Sequence, residues 1–362
     1  MSKLRGKDRM VKTASVLIVI GIIVAILQYF RAFLQPLIVA LILWFIVAEV
    51  RAQLTKIKIR RKSLPRPLLT IVSTIAVFFI FYIITNLIIA NFQNLIDNAD
   101  RYNAALVNLL ENVEDLLGVE NLGEAVENQQ SAIVSGASNA ARALASFVGR
   151  MFLVLFYMLF LLLEESALNN KMRKIYARSG SQKSIKNNII RISNLLSAYL
   201  GIKIFTSFLT GLLSYFVLLI IGIDLPMLWA FIIFILNFIP SVGSIVATSF
   251  PVLFSMLQYS GEWGKTVSVL LGVLAVQVGV GNLLEPRILG NRLNLSPLVV
   301  ILGLTFWGFV WGFVGMLLSV PIMATLMIIF SQFEDTRSTA ILFSKDGNIE
   351  YLFEDDIGKT KE

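Results

Sequence analysis

Residues 204–330 form an almost unbroken apolar stretch whose few polar residues cluster at prolines and glycines. Three fragments stand out: Asn237-Phe238-Ile239-Pro240-Ser241-Val242-Gly243-Ser244, Asn282-Leu283-Leu284-Glu285-Pro286-Arg287, and Leu318-Ser319-Val320-Pro321. In hydrocarbon the backbone must bond to itself, so such chain is helical wherever it meets lipid. Helices broken at membrane depth free backbone groups that can hold a polar solute, which is the plan of a membrane carrier. Only 15% of the 362 residues are charged and 57% are hydrophobic. Several apolar runs are long enough to cross a bilayer, so the chain reads as an all-α polytopic membrane protein.

The chain has no cysteine and no histidine. Disulfides, thiol nucleophiles, imidazole bases and proton relays, and His/Cys zinc sites are therefore excluded. No nucleophile–base pair or carboxylate pair suggests an enzyme, and no cofactor motif is present. Gly264-Lys265-Thr266 resembles the end of a phosphate loop, but Tyr259 stands where the pattern needs glycine. The formal charge of +8 does not imply nucleic acid, because the basic residues sit in short segments beside apolar runs. The partners expected are the lipid bilayer and a small polar solute, with coupling to protons or sodium as an option. No cleavable signal peptide is expected.

Charge sets the topology. The N-terminal tail is basic, the loop 49–66 holds seven basic residues against Glu49, and 164–203 holds eight against Glu164 and Glu165. Residues 91–146 reverse the sign, with eight acidic and two basic residues. The positive-inside rule puts the basic segments, and both termini, in the cytoplasm and the acidic insert outside. Five regions follow: a tail with three spans (1–90), the outer insert (91–146), a span with a basic linker (147–203), a core (204–330) and an acidic tail (331–362). That last segment is expected to be solvated and partly mobile.

In the insert, Leu95, Ala99, Tyr102, Leu106, Leu109, Val113 and Leu116 recur at spacings of four and three, a helical seam that ends at Gly118. It serves either as an oligomer contact or as packing on a neighbouring helix. A second helix should begin near Ser131 and run into the span at 147.

The core reads as two broken hairpins, each following one full span. Pro226–Gln258 carries Asn237, Pro240 and Gly243 at its centre, and each arm is too short to cross a core of about 30 Å. Pro297–Phe330 is interrupted by Gly308, Gly312 and Gly315. Each hairpin opens with proline and has Ser-x-Pro in its second arm (Ser249-Phe250-Pro251 and Ser319-Val320-Pro321). Span plus hairpin, repeated from the opposite face, is an inverted repeat. The alternative is chance likeness between two apolar, glycine-containing segments. With the other spans this makes about eight membrane segments.

The candidate solute-handling residues come from these breaks. Pro240 cannot bond to the preceding turn, so a carbonyl near 236–237 should be free, and the Asn237 side chain adds a donor and an acceptor. That arrangement either binds a hydroxyl-rich solute or cation, or caps the helix. Asn282 and Gln277 either line the same cavity or bond to neighbouring helices. Glu285 and Arg287 flank Pro286; charge there is costly and calls for a partner. They form a latch that breaks during transport, a permanent bridge that fixes the bend, or an ordinary interfacial anchor. Gly243, Gly308, Gly312 and Gly315 allow tight turns and close approach. Trp307 and Trp311 share a helical face, either as structural residues or to stack on a ring-shaped solute. No metal site is expected.

At these residues the chain resembles the bacterial autoinducer-2 exporter family of permease-like proteins. The likeness is carried by Asn237-Phe-Ile-Pro-Ser-Val-Gly243, Gly281-Asn-Leu-Leu-Glu-Pro-Arg-Ile-Leu-Gly290, Leu295-Ser296-Pro297 and Gly315-Met-Leu-Leu-Ser-Val-Pro321. It covers almost the whole chain. It implies an oligomeric, multi-pass protein of the bacterial inner membrane with cytoplasmic termini. Members of the family are described as exporters of the quorum-sensing signal autoinducer-2, and others are linked to sodium or lithium efflux against protons. The resemblance adds Ser241, Ser296, Pro297, Gly315, Ser319 and Pro321 to the candidate residues. Three functions stand on the sequence: a secondary exporter working by alternating access, a sodium(lithium)/proton antiporter short of buried carboxylates, and a non-transporting scaffold acting through the seam.

Overall fold

The computed structural model describes residues 2–55, 66–98, 100–102, 104–109, 132–178, 182–259, 262–290 and 293–350. Among these, every regular element is helical, and the only β pairing is an isolated bridge between Leu295 and Ser344. In chain order the helices are α1 (Ser2–Tyr29), α2 (Arg31–Thr55), α3 (Arg66–Asp97), α4 (Ala132–Arg178), α5 (Gln182–Ile221), α6 (Pro226–Leu236), α7 (Val242–Gln258) and α8 (Trp263–Val276). A π-helical segment (Gln277–Leu284) continues α8 into α9 (Glu285–Leu289), and α10 (Pro297–Ser331) and α11 (Arg337–Phe343) complete the described chain. Among the described residues six helices are long and apolar enough to cross a membrane, and Ala14–Tyr29, α6 and α7 are shorter apolar helices.

The helix expected near Ser131 begins at Ala132 and runs unbroken through the span into the basic linker. The seam residues Ala99, Val113 and Leu116, and the terminator Gly118, lie outside the described residues.

Two compact units divide the chain. One comprises Met1–Trp44, Leu153–Lys174 and Leu295–Glu362; the other comprises Phe45–Phe152 and Ile175–Asn294. Each contains one hairpin.

In the first unit α10 is not a straight rod. Gly312 has φ 60° and ψ −139°, a conformation that side chains with a Cβ rarely adopt, and the chain reverses there. A Cβ on Gly315 would overlap the Trp307 carbonyl, and one on Gly308 would press Met316, so contacts straddle Gly312 as in an antiparallel hairpin. Trp307 and Trp311 are buried with rings 5.4 Å apart, packed with Val24, Leu27, Leu34 and Ile38 of α1 and α2. Gln35 Nε2 donates to the Trp311 carbonyl at 2.6 Å, and Trp311 Nε1 donates to the Leu27 carbonyl at 3.1 Å. The apex of this hairpin is thus fastened to the N-terminal helices.

The acidic tail differs from its sequence expectation over its described part. Ala340 and Ile349 are buried, α11 lies against α10, and the Phe343 ring meets Phe330 at 5.8 Å. The apolar side chains between its acidic residues are enough to dock it.

In the second unit α6 and α7 form the other hairpin. Ser241 takes φ 59° at the turn, and a Cβ on Gly243 would overlap the Leu236 carbonyl. Its core joins Tyr102 of the insert to Leu218, Trp229, Ile233, Ala247, Phe254, Val269 and Val273, with Leu95 packed against them. Two seam residues therefore pack on neighbouring helices of their own unit. Gly211 brings α5 and α6 close, since a Cβ there would meet the Ala230 carbonyl at 3.1 Å.

The two hairpins share local detail beyond their shape. Pro226 and Pro297 both occupy the helix start, where a missing N–H does no harm. Leu236 and Trp307 each stand ten positions further on and meet the glycine of the returning arm. Ser249 and Ser319, each two residues before a proline, donate to the carbonyl three residues back, on Val246 and Met316 respectively.

Candidate functional site

The helix α5 carries the site. Phe205, Phe208, Leu212, Leu213, Phe216 and Leu219 are exposed, as on a lipid-facing surface. Lys203, Thr206, Ser207, Thr210 and Ser214 recur at helical spacing on another face, and all are buried. Polar groups buried in a membrane helix are costly unless partnered, so each partner matters.

Lys203 Nζ lies 2.7 Å from Glu285 Oε1 and 3.0 Å from Oε2, and the Thr206 hydroxyl donates to Oε2 at 3.2 Å. The two charged side chains are 7% and 17% exposed, so this is an ion pair largely shielded from solvent. One turn on, Asn237 Nδ2 donates to Ser207 Oγ at 3.1 Å. Thr210 donates to the Thr206 carbonyl at 2.8 Å. The π-helical turns end where the Glu285 N–H bonds to the Val280 carbonyl, five residues back. Such wide turns recur at functional sites.

Several expectations change. Glu285 pairs with Lys203 rather than Arg287; among the described residues Arg287 makes no ion pair, and both it and Pro286 are exposed. The five-residue helix α9 turns Arg287 outward while Glu285 faces α5. The Leu236 carbonyl is not free, because the Ile239 N–H reaches it at 2.9 Å. Proline removes one bond at the break, and a tighter turn supplies another. Asn237 caps α6, its N–H closing on the Ile233 carbonyl, and its side chain reaches Ser207 on α5.

The remaining candidates divide. Gln277 is buried, whereas Asn282 is exposed. Pro240 is half-buried, Ser241 exposed and Gly243 buried at the first hairpin's turn. Ser296, Pro297, Gly312, Gly315, Ser319 and Pro321 belong to the other unit. There Ser296 donates its N–H to the Phe343 carbonyl at 2.8 Å, Pro297 starts α10, and Ser319 and Pro321 are buried in the returning arm. The site proper therefore gathers Asn237, Gln277 and Glu285 on α5.

Residues 15–335 match the family described as AI-2E family transporters. The chain belongs to the AI-2E transporter family. The AI-2 transport protein TqsA of Escherichia coli K12 is 32% identical over 337 residues, covering 91% of this chain and 95% of TqsA. A provisionally named transport protein of Borreliella burgdorferi is 34% identical over 204 residues, 56% of each chain. Another such protein, from Haemophilus influenzae, is 29% identical over 314 residues, covering 84% of this chain and 89% of that protein. As an AI-2E transporter the chain is a multi-pass membrane transport protein of a bacterial family.

Sequence reasoning missed Lys203, Thr206 and Ser207. Counting Lys203 with the basic linker concealed it, although a lysine four residues before a serine and three before a threonine inside an apolar run is itself a signal. For this AI-2E transporter, Gln35 gave no signal at all, because its role depends on a carbonyl far away in sequence.

Proposed function

We propose that this protein is a non-enzymatic secondary carrier that exports a small polar metabolite by alternating access, with autoinducer-2 as the candidate solute. The observation that carries this reading is the buried polar face of α5, held by Lys203–Glu285 on one side and Ser207–Asn237 on the other. A membrane helix that buries five polar side chains needs a reason beyond packing. Broken hairpins supply backbone groups and room for change. The printed name of TqsA, at 95% coverage, supports the solute class. In this reading the Lys203–Glu285 pair is the latch that opens and closes. The protein sits in the inner membrane as a homo-oligomer, with both termini in the cytoplasm.

Uptake of labelled autoinducer-2 into everted vesicles tests the proposal. Glu285→Ala and Asn237→Ala should each lower the rate at least tenfold at equal expression. Wild-type vesicles that move no more label than empty ones would overturn it.

One observation favours a second reading. Glu285 is a carboxylate shielded within the unit, which a sodium(lithium)/proton antiporter requires. Sodium-dependent dequenching of a pH-sensitive dye, lost in Glu285→Gln, would support antiport. No flux of either kind, with a phenotype that depends on Leu106 and Leu109, would favour a scaffold.

A further inference from the structure

Two polar side chains on the α5 interface are buried without a partner among the described residues. Gln277 is 5% exposed, and neither its Oε1 nor its Nε2 meets a hydrogen-bonding group. Ser214 is fully buried, and its Oγ also lacks one. Buried polar atoms in native proteins are almost always satisfied, so an unsatisfied pair points to something that binds there.

The two belong to the same place. The α8–π–α9 rod runs antiparallel to α5: Gly272 lies against Val217 and Ile221, and Glu285 bonds to Lys203 and Thr206. The π-helical segment packs on α5, and by that register Gln277 falls between the two fixed points, along the stretch of α5 that carries Thr210 and Ser214. Gln277 also opens the π-helical segment, where widened turns move side chains off the ordinary helical register.

The chemistry of the pair selects a ligand. A carboxamide offers an acceptor and two donors, and a hydroxyl offers one donor and two acceptors. Both are uncharged, and the nearest charges, Lys203 and Glu285, neutralise each other. A metal cation would use only the two oxygens, leave the amide N–H₂ unpaired and find no net negative charge beside it, while a carboxylate or phosphate would find no net positive charge to offset its burial. An O–H group fits: it donates to Gln277 Oε1 and accepts from Gln277 Nε2 or the Ser214 hydroxyl.

We propose that Gln277 and Ser214 form a hydroxyl-recognition subsite for an uncharged, polyhydroxylated solute. The inference rests on the carrier reading and deepens it by naming the residues that sort neutral solutes from charged ones. A lone water shares the O–H chemistry and is separated by the test.

The test uses purified full-length protein in lipid nanodiscs, with equilibrium binding of radiolabelled autoinducer-2, erythritol and glycerol. Wild type should bind at least one of these probes. Gln277→Leu should weaken that binding tenfold or more and Ser214→Ala about fivefold, with melting temperatures equal to or above wild type because an unpaired polar group is removed. Ser214→Ala deletes a single oxygen and keeps the test valid if Gln277→Leu does not fold. Wild type that binds none of the three probes, or both variants binding as wild type does, would overturn the subsite and leave a lone water as the occupant. Intact binding sensitive to both variants, with no flux in proteoliposomes, would sink the carrier reading and leave the subsite standing. Flux of autoinducer-2 unchanged in both variants would do the reverse.

Discussion

Lys203 and Glu285 lie 82 positions apart in the sequence and 2.7 Å apart in the fold, each shielded from solvent by the helices that carry them. Removing one member of a buried pair leaves a lone charge, which costs about 3–5 kcal/mol, whereas replacing both by apolar residues of similar size is often neutral. Lys203→Met and Glu285→Met should therefore each destabilise the purified protein strongly, and the double variant should regain most of the loss. Denaturation in detergent measures this. Losses that simply add would show that the two side chains do not depend on each other. If the pair is a latch, the rescued double variant still fails to transport.

The glycines at the two hairpins should be unequal in their tolerance. A Cβ at Gly243 or Gly315 would overlap a backbone carbonyl, Leu236 or Trp307, that cannot rotate away. Overpacking in a filled interior costs about 1–3 kcal/mol, and overlap with backbone lies at or beyond the top of that range. Gly243→Ala and Gly315→Ala should reduce the folded yield by size-exclusion chromatography. Gly201→Ala, where nothing lies within 4 Å, should be neutral or gain up to about 1 kcal/mol from helix propensity. Equal yields of all three variants would refute the close approach of the arms.

The hairpins were readable because proline and glycine at the centre of an apolar run have few other uses. Pro240 and Gly243 mark the first turn, and of the three glycines in the second segment only Gly312 has the backbone conformation of a reversal. Gly308 and Gly315 instead make room for the facing arm. Charge patterning misled about Lys203, since the rule counts lysines and is blind to a carboxylate 82 residues on. The π-helical segment was not legible: Gln277–Leu284 has the apolar and glycine residues of any membrane helix. Its packing on α5 joins residues that no one sequence window contains.

Gln35 should matter more than its place in an N-terminal span suggests. Gln35 Nε2 donates at 2.6 Å to the Trp311 carbonyl, beside the break at Gly312. A hydrogen bond of this kind contributes about 0.5–1.5 kcal/mol net. Gln35→Leu should lower thermal stability by that order. Gln35→Glu should be as harmful or worse, since an ionised carboxylate has no donor to offer. Stability unchanged in both variants would mean the apex is held by the tryptophan packing alone.

The clasp at Asp224 predicts an alkaline limit. Tyr102 donates its hydroxyl to Asp224 Oδ2 at 3.1 Å, and Arg101 approaches the same oxygen at 3.3 Å. Burial first, and then the Asp224 charge, push the Tyr102 phenol up to about 12 from an ordinary 10. A folded state that holds its proton more tightly than the unfolded chain loses stability as pH rises. The contribution is therefore complete below pH 10 and is lost as pH climbs through about 12. In Tyr102→Phe the hydroxyl is gone and that part of the slope disappears, while the ring still packs against Phe254. Unfolding followed between pH 9 and 12.5 should show wild type falling faster than the variant across this window. Parallel curves would mean that the phenol titrates alike in the folded and unfolded chains, and that the insert is held at Asp224 by Arg101 and by packing.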